Sequence, residues 1–309
     1  KSAGVYAIFN KKVYDIDNSG TINVGSTTSP TTETKGVGIY AKLENNATAT
    51  GNVTIDNKNT VAINIKDSIG IYAQNDTGKD NRIIVNNSKN ITSSSSSDGA
   101  IGIMAKRAKV TNLATSGKIE LGGKSSVGIY GTDNSELENF GKILLTNTAD
   151  DSASVGMLSD GKTLTNNGKI IMSGGASAGM LGKSLATLTN ASGATITIKG
   201  KASAGMYAEN ATPTNAGIIN VKGEKSAGIF AKVSDDKDRS IVNTGSIKLM
   251  GTSETKSAGM YVEIANGATG TTTLENKNLI SVNQKESVGM YIKNKSGNRD
   301  LGVALNSAP

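Results

Sequence analysis

The chain has 309 residues and a formal net charge of +7, and it contains neither histidine nor cysteine. The missing cysteines exclude a disulfide scaffold and a thiolate metal site, and the missing histidines remove the commonest general base and metal ligand. Aromatic residues make up 4% of the chain, too few to fill a large globular core. Lysine rather than arginine carries the positive charge along the whole chain, so no nucleic-acid partner is expected. No apolar run reaches about 18 residues, and this segment is not expected to insert in a membrane.

A short segment of the form Ser-apolar-Gly-apolar-Tyr-Ala begins at Ser2 and recurs eleven times. The interval between successive glycines varies from 23 residues (Gly156 to Gly179) to 34 residues (Gly4 to Gly38). A fixed coil with loops of varying length explains this spread, as in solenoid proteins. Because the chain starts inside a repeat, we expect residues 1–309 to be a single solenoid segment of a longer protein. The glycines are Gly4, Gly38, Gly70, Gly102, Gly128, Gly156, Gly179, Gly205, Gly228, Gly259 and Gly289.

A second motif, apolar-x-Asn-x-Gly-x-Ile-x-apolar, falls once in each of the ten intervals, and its clearest copies are 16–24 and 164–172. Asparagine side chains stacked in this way can bond from coil to coil, or they can form a metal or sugar site. Their recurrence in every coil, without paired carboxylates, favours the amide stack. The motif is centred on Asn18, Asn57, Asn87, Asn112, Asn139, Asn166, Asn190, Asn215, Asn243 and Asn276.

Each unit contains three short alternating stretches separated by Gly, Asn and Ser, which is typical of strands and leaves no room for a helix. The sequence therefore predicts an all-β fold, a right-handed parallel β-helix (solenoid) of about 11 coils with three short strands per coil. Eleven coils stacked at about 4.8 Å would form a rod roughly 50 Å long.

The period of two along a strand predicts which side chains point inward. In the first strand the residues on either side of the glycine are apolar and are expected inside, whereas Ser, Gly and the aromatic residue are expected outside. Met206 and Ile229 hold the same inward position in adjacent coils and are expected to touch. The inward sets of the first strand are Ala3, Val5, Ala7; Val37, Ile39, Ala41; Ile69, Ile71, Ala73; Ala204, Met206, Ala208; and Val288, Met290, Ile292. Those of the third strand are Ile22, Val24; Ile143, Leu145; Ile247, Leu249; and Ile280, Val282.

The outward face of the first strand carries an aromatic row. The row is expected to be a stacking ladder that covers neighbouring glycine backbone, and the alternative is a stripe that binds a flat ligand or a partner. We favour the ladder because the row runs the full length of the chain with no focal point. Its tyrosines are Tyr6, Tyr40, Tyr72, Tyr130, Tyr207, Tyr261 and Tyr291.

The loops differ in length and charge from coil to coil, so partner contacts are expected there. Long loops follow the first strand, as at 42–54 and 232–240, or the third strand, as at 25–35. No cluster of carboxylates suited to glycoside chemistry occurs in adjacent coils, so we expect no enzyme activity, no cofactor and no metal site. The partner-binding candidates are Asp235, Asp236, Lys237, Asp238, Arg239, Glu44, Asn45 and Asn46.

The paired motifs, seen as Ser-Ala-Gly-Met-Tyr-Ala at 203–208 and Leu-Thr-Asn-Asn-Gly-Lys-Ile at 164–170, resemble the passenger repeats of large type V autotransporter adhesins. The resemblance covers the whole chain and is closest to the fusobacterial adhesins of the RadD type. It implies an extracellular passenger at the cell surface, with a signal peptide and an outer-membrane barrel outside these residues. It also implies attachment to a protein or glycan on host cells or other bacteria. The alternatives are a carbohydrate-active β-helix enzyme and a spacer segment with no ligand of its own.

Overall fold

The computed structural model describes residues 2–26, 35–48, 50–254 and 256–308. Within these residues the chain forms strands almost exclusively, with one 3-10 turn at Arg299–Leu301. Of the predicted loop at 25–35, residues 27–34 lie outside the described ranges. Each repeat unit contributes one strand to each of three sheets, which run along the rod without interruption.

The first sheet contains eleven strands in the described residues. These are β1 (Ser2–Phe9), β4 (Gly36–Leu43), β7 (Ile69–Asn75), β10 (Ile101–Lys106), β13 (Val127–Thr132), β16 (Val155–Asp160), β19 (Ala178–Lys183), β22 (Ala204–Glu209), β25 (Ala227–Val233), β28 (Ala258–Ile264) and β31 (Val288–Asn294).

The second sheet also contains eleven described strands. These are β2 (Ile16–Asn18), β5 (Val53–Asn57), β8 (Ile83–Asn87), β11 (Lys109–Asn112), β14 (Glu136–Asn139), β17 (Thr163–Asn166), β20 (Thr187–Asn190), β23 (Thr212–Asn215), β26 (Arg239–Asn243), β29 (Thr272–Asn276) and β32 (Gly302–Asn306).

The third sheet has ten strands among the described residues. These are β3 (Ile22–Val24), β6 (Val61–Ile63), β9 (Asn90–Ser93), β12 (Lys118–Leu121), β15 (Lys142–Leu145), β18 (Lys169–Met172), β21 (Thr195–Ile198), β24 (Ile218–Val221), β27 (Ser246–Glu254) and β30 (Ile280–Lys285). Together the three sheets confirm an all-β parallel solenoid with three strands per coil.

Every strand pairs in parallel with its counterparts in the coils before and after it. Met206 lies opposite Ile229 in the register of β22 and β25, and both side chains are fully buried, as expected. The core consists of such rows of Ile, Val, Leu and Met from all three sheets. Val282 departs from the prediction, since it is 37% exposed. It lies on β30, the last described strand of the third sheet, where no further coil covers it.

The glycine of the first strand points inward, which corrects the predicted alternation. A Cβ atom added to Gly70 would lie 2.9 Å from the core side chain of Ile91 and 2.6 Å from the carbonyl oxygen of Gly102 in the next coil. The chain turns at this glycine, so Gly70 and Ile71 both face the core while Ile69 faces outward beside Tyr72. Only glycine allows this close approach of neighbouring coils. The same correction applies to Ala3, Val37, Ala204 and Val288, which were expected inside.

The serine before the turn is also buried, although it was expected outside. The Oγ atom of Ser203 accepts a hydrogen bond from the backbone N–H of Ser177 (3.0 Å) and donates one to the carbonyl of Lys201 (3.0 Å). Ser177, Ser226 and Ser257 accept in the same way from the coil before. The serine hydroxyl therefore satisfies a backbone donor at the corner where the third sheet passes into the first.

Buried asparagine side chains form a continuous hydrogen-bonded ladder along the second sheet. Each Nδ2 donates to the Oδ1 of the asparagine in the next coil at 2.7–2.8 Å, from Asn18 to Asn306. This confirms the amide stack predicted from the repeat. Asn306 is an eleventh member that the motif search missed, because Gly and Ile do not follow it.

Two neighbouring isoleucines test the corrected alternation. Ile71→Asp should destabilise its coil by several kcal/mol, because an unpaired carboxylate enters a dry core. Ile69→Asp should cost about 1 kcal/mol or less, because that side chain reaches solvent. Urea unfolding and limited proteolysis of the two variants would measure the difference. Equal destabilisation by both substitutions would contradict the inward turn at Gly70.

Candidate functional site

The aromatic row on the outer face of the first sheet forms stacks of parallel rings. Tyr207, Phe230 and Tyr261 stack with centroids 5.0–5.1 Å apart and interplanar angles of 7° and 13°. Tyr6 and Tyr40 stack at 5.0 Å and 13° at the other end of the rod. The expected stacking is present in these two stretches, whereas Tyr40 and Tyr72 meet edge to face at 74° and Tyr261 and Tyr291 are tilted by 39°. Met104, Leu158 and Leu181 occupy the row in coils that lack an aromatic residue.

Stacking determines what the aromatic row can offer a ligand. Where rings lie face to face, their faces contact the neighbouring rings and only the ring edges meet solvent. A flat ligand or a sugar stacks on a ring face, so such stacks provide little platform for it. Whether the row binds a partner stays a prediction. Burial raises the pKa of several of the hydroxyl groups above the ordinary tyrosine value, namely those of Tyr40, Tyr72, Tyr130, Tyr207 and Tyr261.

A shallow apolar groove runs beside the row. The outward residues that precede each glycine form its floor, and in four successive coils these are alanines that are 5–8% exposed. Leu181, Tyr207, Phe230 and Tyr261 form one wall. The floor alanines are Ala178, Ala204, Ala227 and Ala258.

Charges alternate along the row two residues beyond the aromatic position. From β16 to β31, acidic and basic side chains take turns in directly paired positions of adjacent coils. Opposite charges on paired strands stabilise the register, so this row has a structural explanation. Its members are Asp160, Lys183, Glu209, Lys232, Glu263 and Lys293.

Four long loops leave the interior coils of the rod at the corner between the first and second sheets, and the terminal coils carry two more long connections there, at 10–15 and 295–301. The four comprise residues 44–52, where residue 49 is not described, then 76–82, 234–238 and 265–271. In the five coils between the second and third loops, the same connection takes only two or three residues. Longer connections also occur at the corner between the third and first sheets, at 94–100 and 146–154, so the aperiodic surface lies at two corners of the rod.

The first partner-binding candidates lie at the start of the first long loop. Asn45 and Asn46 are exposed, and Glu44 is half-buried. The Glu44 carboxylate accepts a hydrogen bond from Asn10 Nδ2 at 3.2 Å, which ties the loop to the preceding coil. Asn45 and Asn46 are thus the side chains of this set that are open to a partner.

The second set of candidates includes one residue that is not on the surface. The Arg239 side chain is 2% exposed, and its guanidinium pairs with both oxygens of Asp235 and donates to the carbonyls of Lys237 (2.9 Å) and Asn210 (3.1 Å). Burial alone would raise the pKa of Asp235, but the hydrogen bonds from Arg239 outweigh it and hold that pKa below its ordinary value. Arg239 therefore holds the loop together from inside, which corrects the expectation that it reaches a partner.

The remaining residues of this loop are exposed, namely Asp236, Lys237 and Asp238. Asp238 also accepts a hydrogen bond from the backbone N–H of Thr271 at 2.7 Å, which joins this loop to the next one. The two candidate sets do not meet. They follow β4 and β25, which are seven places apart in the first sheet, or about 34 Å at the spacing of paired strands.

The second long loop makes contacts that the sequence does not reveal. Asp80 reaches along the rod to Lys162 Nζ at 3.3 Å, across three coils and 82 residues of sequence. It also lies 3.9 Å from Arg107 Nε. The loop 76–82 therefore covers the corner of the next coils and does not project freely.

No group of three or more acidic side chains in the described ranges is placed to hold a metal ion. None of the helical segments in these ranges has the length and apolar character of a membrane span.

Comparison with known protein families matches the chain to the model described as the BigA third pectate lyase-like domain, over residues 2–192 and again over residues 175–299. Two overlapping matches to the same model are expected of a chain built from one repeated coil. No curated protein and no solved structure matches the chain.

Acid should open the loop held by Arg239. Because the pKa of Asp235 is lower in the folded protein, this carboxylate stabilises the loop above its unfolded pKa near 3.9, and the effect is lost as the pH falls through the lower folded value. The protection factors of residues 234–243, which correct for the pH dependence of intrinsic exchange, should therefore fall on acidification below about pH 4. In an Arg239→Leu control, protection should be weaker at pH 7 and insensitive to this acidification. Unchanged protection of the wild-type loop between pH 7 and pH 3 would contradict the role of this ion pair.

Proposed function

The chain belongs to the family of the BigA third pectate lyase-like domain, and from that membership we propose that it is a rod segment of a cell-surface adhesin. The repeat motifs, which resemble autotransporter passengers of the RadD type, support an extracellular position beyond the outer membrane. The proposed partner is a protein or glycan on host cells or on other bacteria, contacted through the loops.

The observation that carries this proposal is that the loops vary in length from coil to coil while the strands stay paired, and that many of the long loops lie at the corner between the first and second sheets. The strands repeat the same surface in each coil, so they offer little that distinguishes one coil from another. The loops at 44–52, 76–82, 234–238 and 265–271 differ in length and charge, and they leave from the same edge. A unique site on a repetitive rod needs such aperiodic elements.

The description of the family as pectate lyase-like leaves one catalytic alternative, a polysaccharide lyase or hydrolase. A lyase or hydrolase would release new chain ends from an acidic polysaccharide. Incubating the purified rod with polygalacturonate and other polysaccharides would show such products. We expect none, because the proposed function is attachment and not cleavage.

Loop variants would test attachment directly. Purified rod carrying Asn45→Ala and Asn46→Ala, or Asp236→Ala and Lys237→Ala, should bind bacterial or host cells at least about tenfold more weakly than wild type. Folding should be unaffected, since these side chains are exposed. The matched control is Tyr207→Ser with Tyr261→Ser, on the aromatic row, which should bind as wild type.

Three outcomes would contradict this account. Loss of binding in the tyrosine variant, with full binding by both loop variants, would place the site on the aromatic row. A wild-type rod that binds no cell type would favour a spacer segment. Release of polysaccharide fragments would favour the enzyme.

A further inference from the structure

Six lysines lie on the outer face of the third sheet and its adjoining corner, over five successive coils. Lys142 and Lys169 are paired positions of β15 and β18, at the start of the strands. Lys199 and Lys222 follow the paired ends of β21 and β24, and Lys248 faces outward on β27, where it pairs with the position of Asn220. Lys225 lies in the turn after β24. We call Lys142, Lys169, Lys199, Lys222, Lys225 and Lys248 the lysine face.

The lysine face is not neutralised by the protein. None of its six ammonium groups forms an ion pair or hydrogen bond with the side chains that the structure describes. All six side chains are exposed or half-exposed. Asp150 and Asp151, at the border, pair instead with Lys201 and Lys124. Glu224 lies in the same turn as Lys222 and Lys225 but pairs with neither.

Like charges stack on this face, in contrast to the first sheet. Lys142 and Lys169 are directly opposed across adjacent strands, and Lys118 precedes them in the same row. Directly opposed like charges destabilise a sheet, whereas the row beside the aromatic residues alternates in sign. Six of the lysines without an ion pair among the described residues therefore lie together over successive coils, in an arrangement that stability alone does not explain.

The chemistry of the lysine face selects a class of ligand. Ammonium groups are compact point charges that bind sulfate, carboxylate or phosphate without the planar geometry that arginine imposes. Leu144, Ile171 and Ile218 take outward positions on the same strands, so the face also offers apolar surface. The described outward positions of the third sheet, on β15, β18, β21, β24 and β27, contain no arginine and no aromatic residue for stacking on bases.

We propose that the lysine face binds a sulfated polysaccharide of the glycosaminoglycan class, laid along the outer surface of the third sheet. The face contains two pairs of lysines one coil apart, Lys142 with Lys169 and Lys199 with Lys222, at about 4.8 Å, and a linear chain with repeated anionic groups can contact both pairs as it crosses the sheet. The inference does not depend on attachment through the loops, because the lysine face and the corner between the first and second sheets are different surfaces of the rod.

A charge-matched pair of variants tests the proposal, with a heparin oligosaccharide as the probe in calorimetry at physiological salt. The face variant changes the six lysines to glutamine. The control variant changes six other lysines without ion pairs among the described residues, Lys11, Lys12, Lys35, Lys79, Lys89 and Lys285. Both variants fall from a net charge of +7 to +1 (7 − 6). The face variant should lose at least about tenfold in affinity while the control changes less than about twofold, because affinity follows the local cluster and not the net charge.

Two further measurements keep the result interpretable. The face variant should melt at the same temperature as the control or higher, since it removes like-charge repulsion, and a variant with all six lysines changed to arginine should bind heparin. Equal loss of affinity in both glutamine variants, or no heparin binding by the wild type, would overturn the proposal. Equal binding of desulfated heparin, duplex DNA or anionic phospholipid vesicles through the same six lysines would overturn the assignment to a sulfated glycan.

Discussion

The buried amide ladder is the interaction on which the rest of this rod depends. In the interior coils each asparagine makes its shortest hydrogen bonds, through Nδ2 and Oδ1, to the same residue one coil away, and Nδ2 makes a longer bond to a glycine carbonyl, as from Asn166 to Gly168 at 3.3 Å. A buried polar group without a partner costs about 1–3 kcal/mol, so a strand that slips in register loses bonds on both sides. The apolar rows of the core favour stacking but tolerate small shifts, whereas the amide geometry does not. The ladder thus fixes the register of the second sheet, and the glycine contacts between coils do the same for the first.

A fixed register converts sequence repeats into surface rows. Residues 23 to 34 positions apart in sequence come to lie about one strand spacing apart, so each outward position becomes a stripe of one chemical kind. The aromatic row and the alternating charges use this effect to stabilise neighbouring coils. The lysine face has the opposite character, because its charges repel one another. Loops of varying length interrupt the periodicity at the corners, so the rod has both periodic and aperiodic surfaces on which partners can bind.

The repeat made the coils, the three strands and the asparagine ladder predictable, because each follows from spacing and residue type. The inward glycine was missed because alternation breaks where Gly70 and Ile71 both face the core, and a pattern of period two cannot show this. Ala202 comes directly before the buried Ser203 and has a φ of 52°, a left-handed conformation that cannot be predicted from an alanine in the sequence. Arg239 reads as a charged loop residue, and only the packed loop shows it buried. In the sequence the lysines between 142 and 248 look evenly spread, and only the stacking of the coils shows that six of them share one face.

The most direct test of the ladder is the stability of an Asn166→Asp variant as a function of pH, measured by backbone hydrogen exchange in β14, β17 and β20. Asn166 accepts from Asn139 and donates to Asn190, each at 2.8 Å. An ionised carboxylate keeps the first bond and loses the second. The buried position should also raise the pKa of the new group, so its neutral form stabilises the coil at low pH and that stability is lost as the pH rises through the folded pKa. The account predicts a local loss of about 3 kcal/mol or more at pH 7 that shrinks towards pH 4. A variant as stable as wild type at pH 7, or a loss that does not depend on pH, would contradict it.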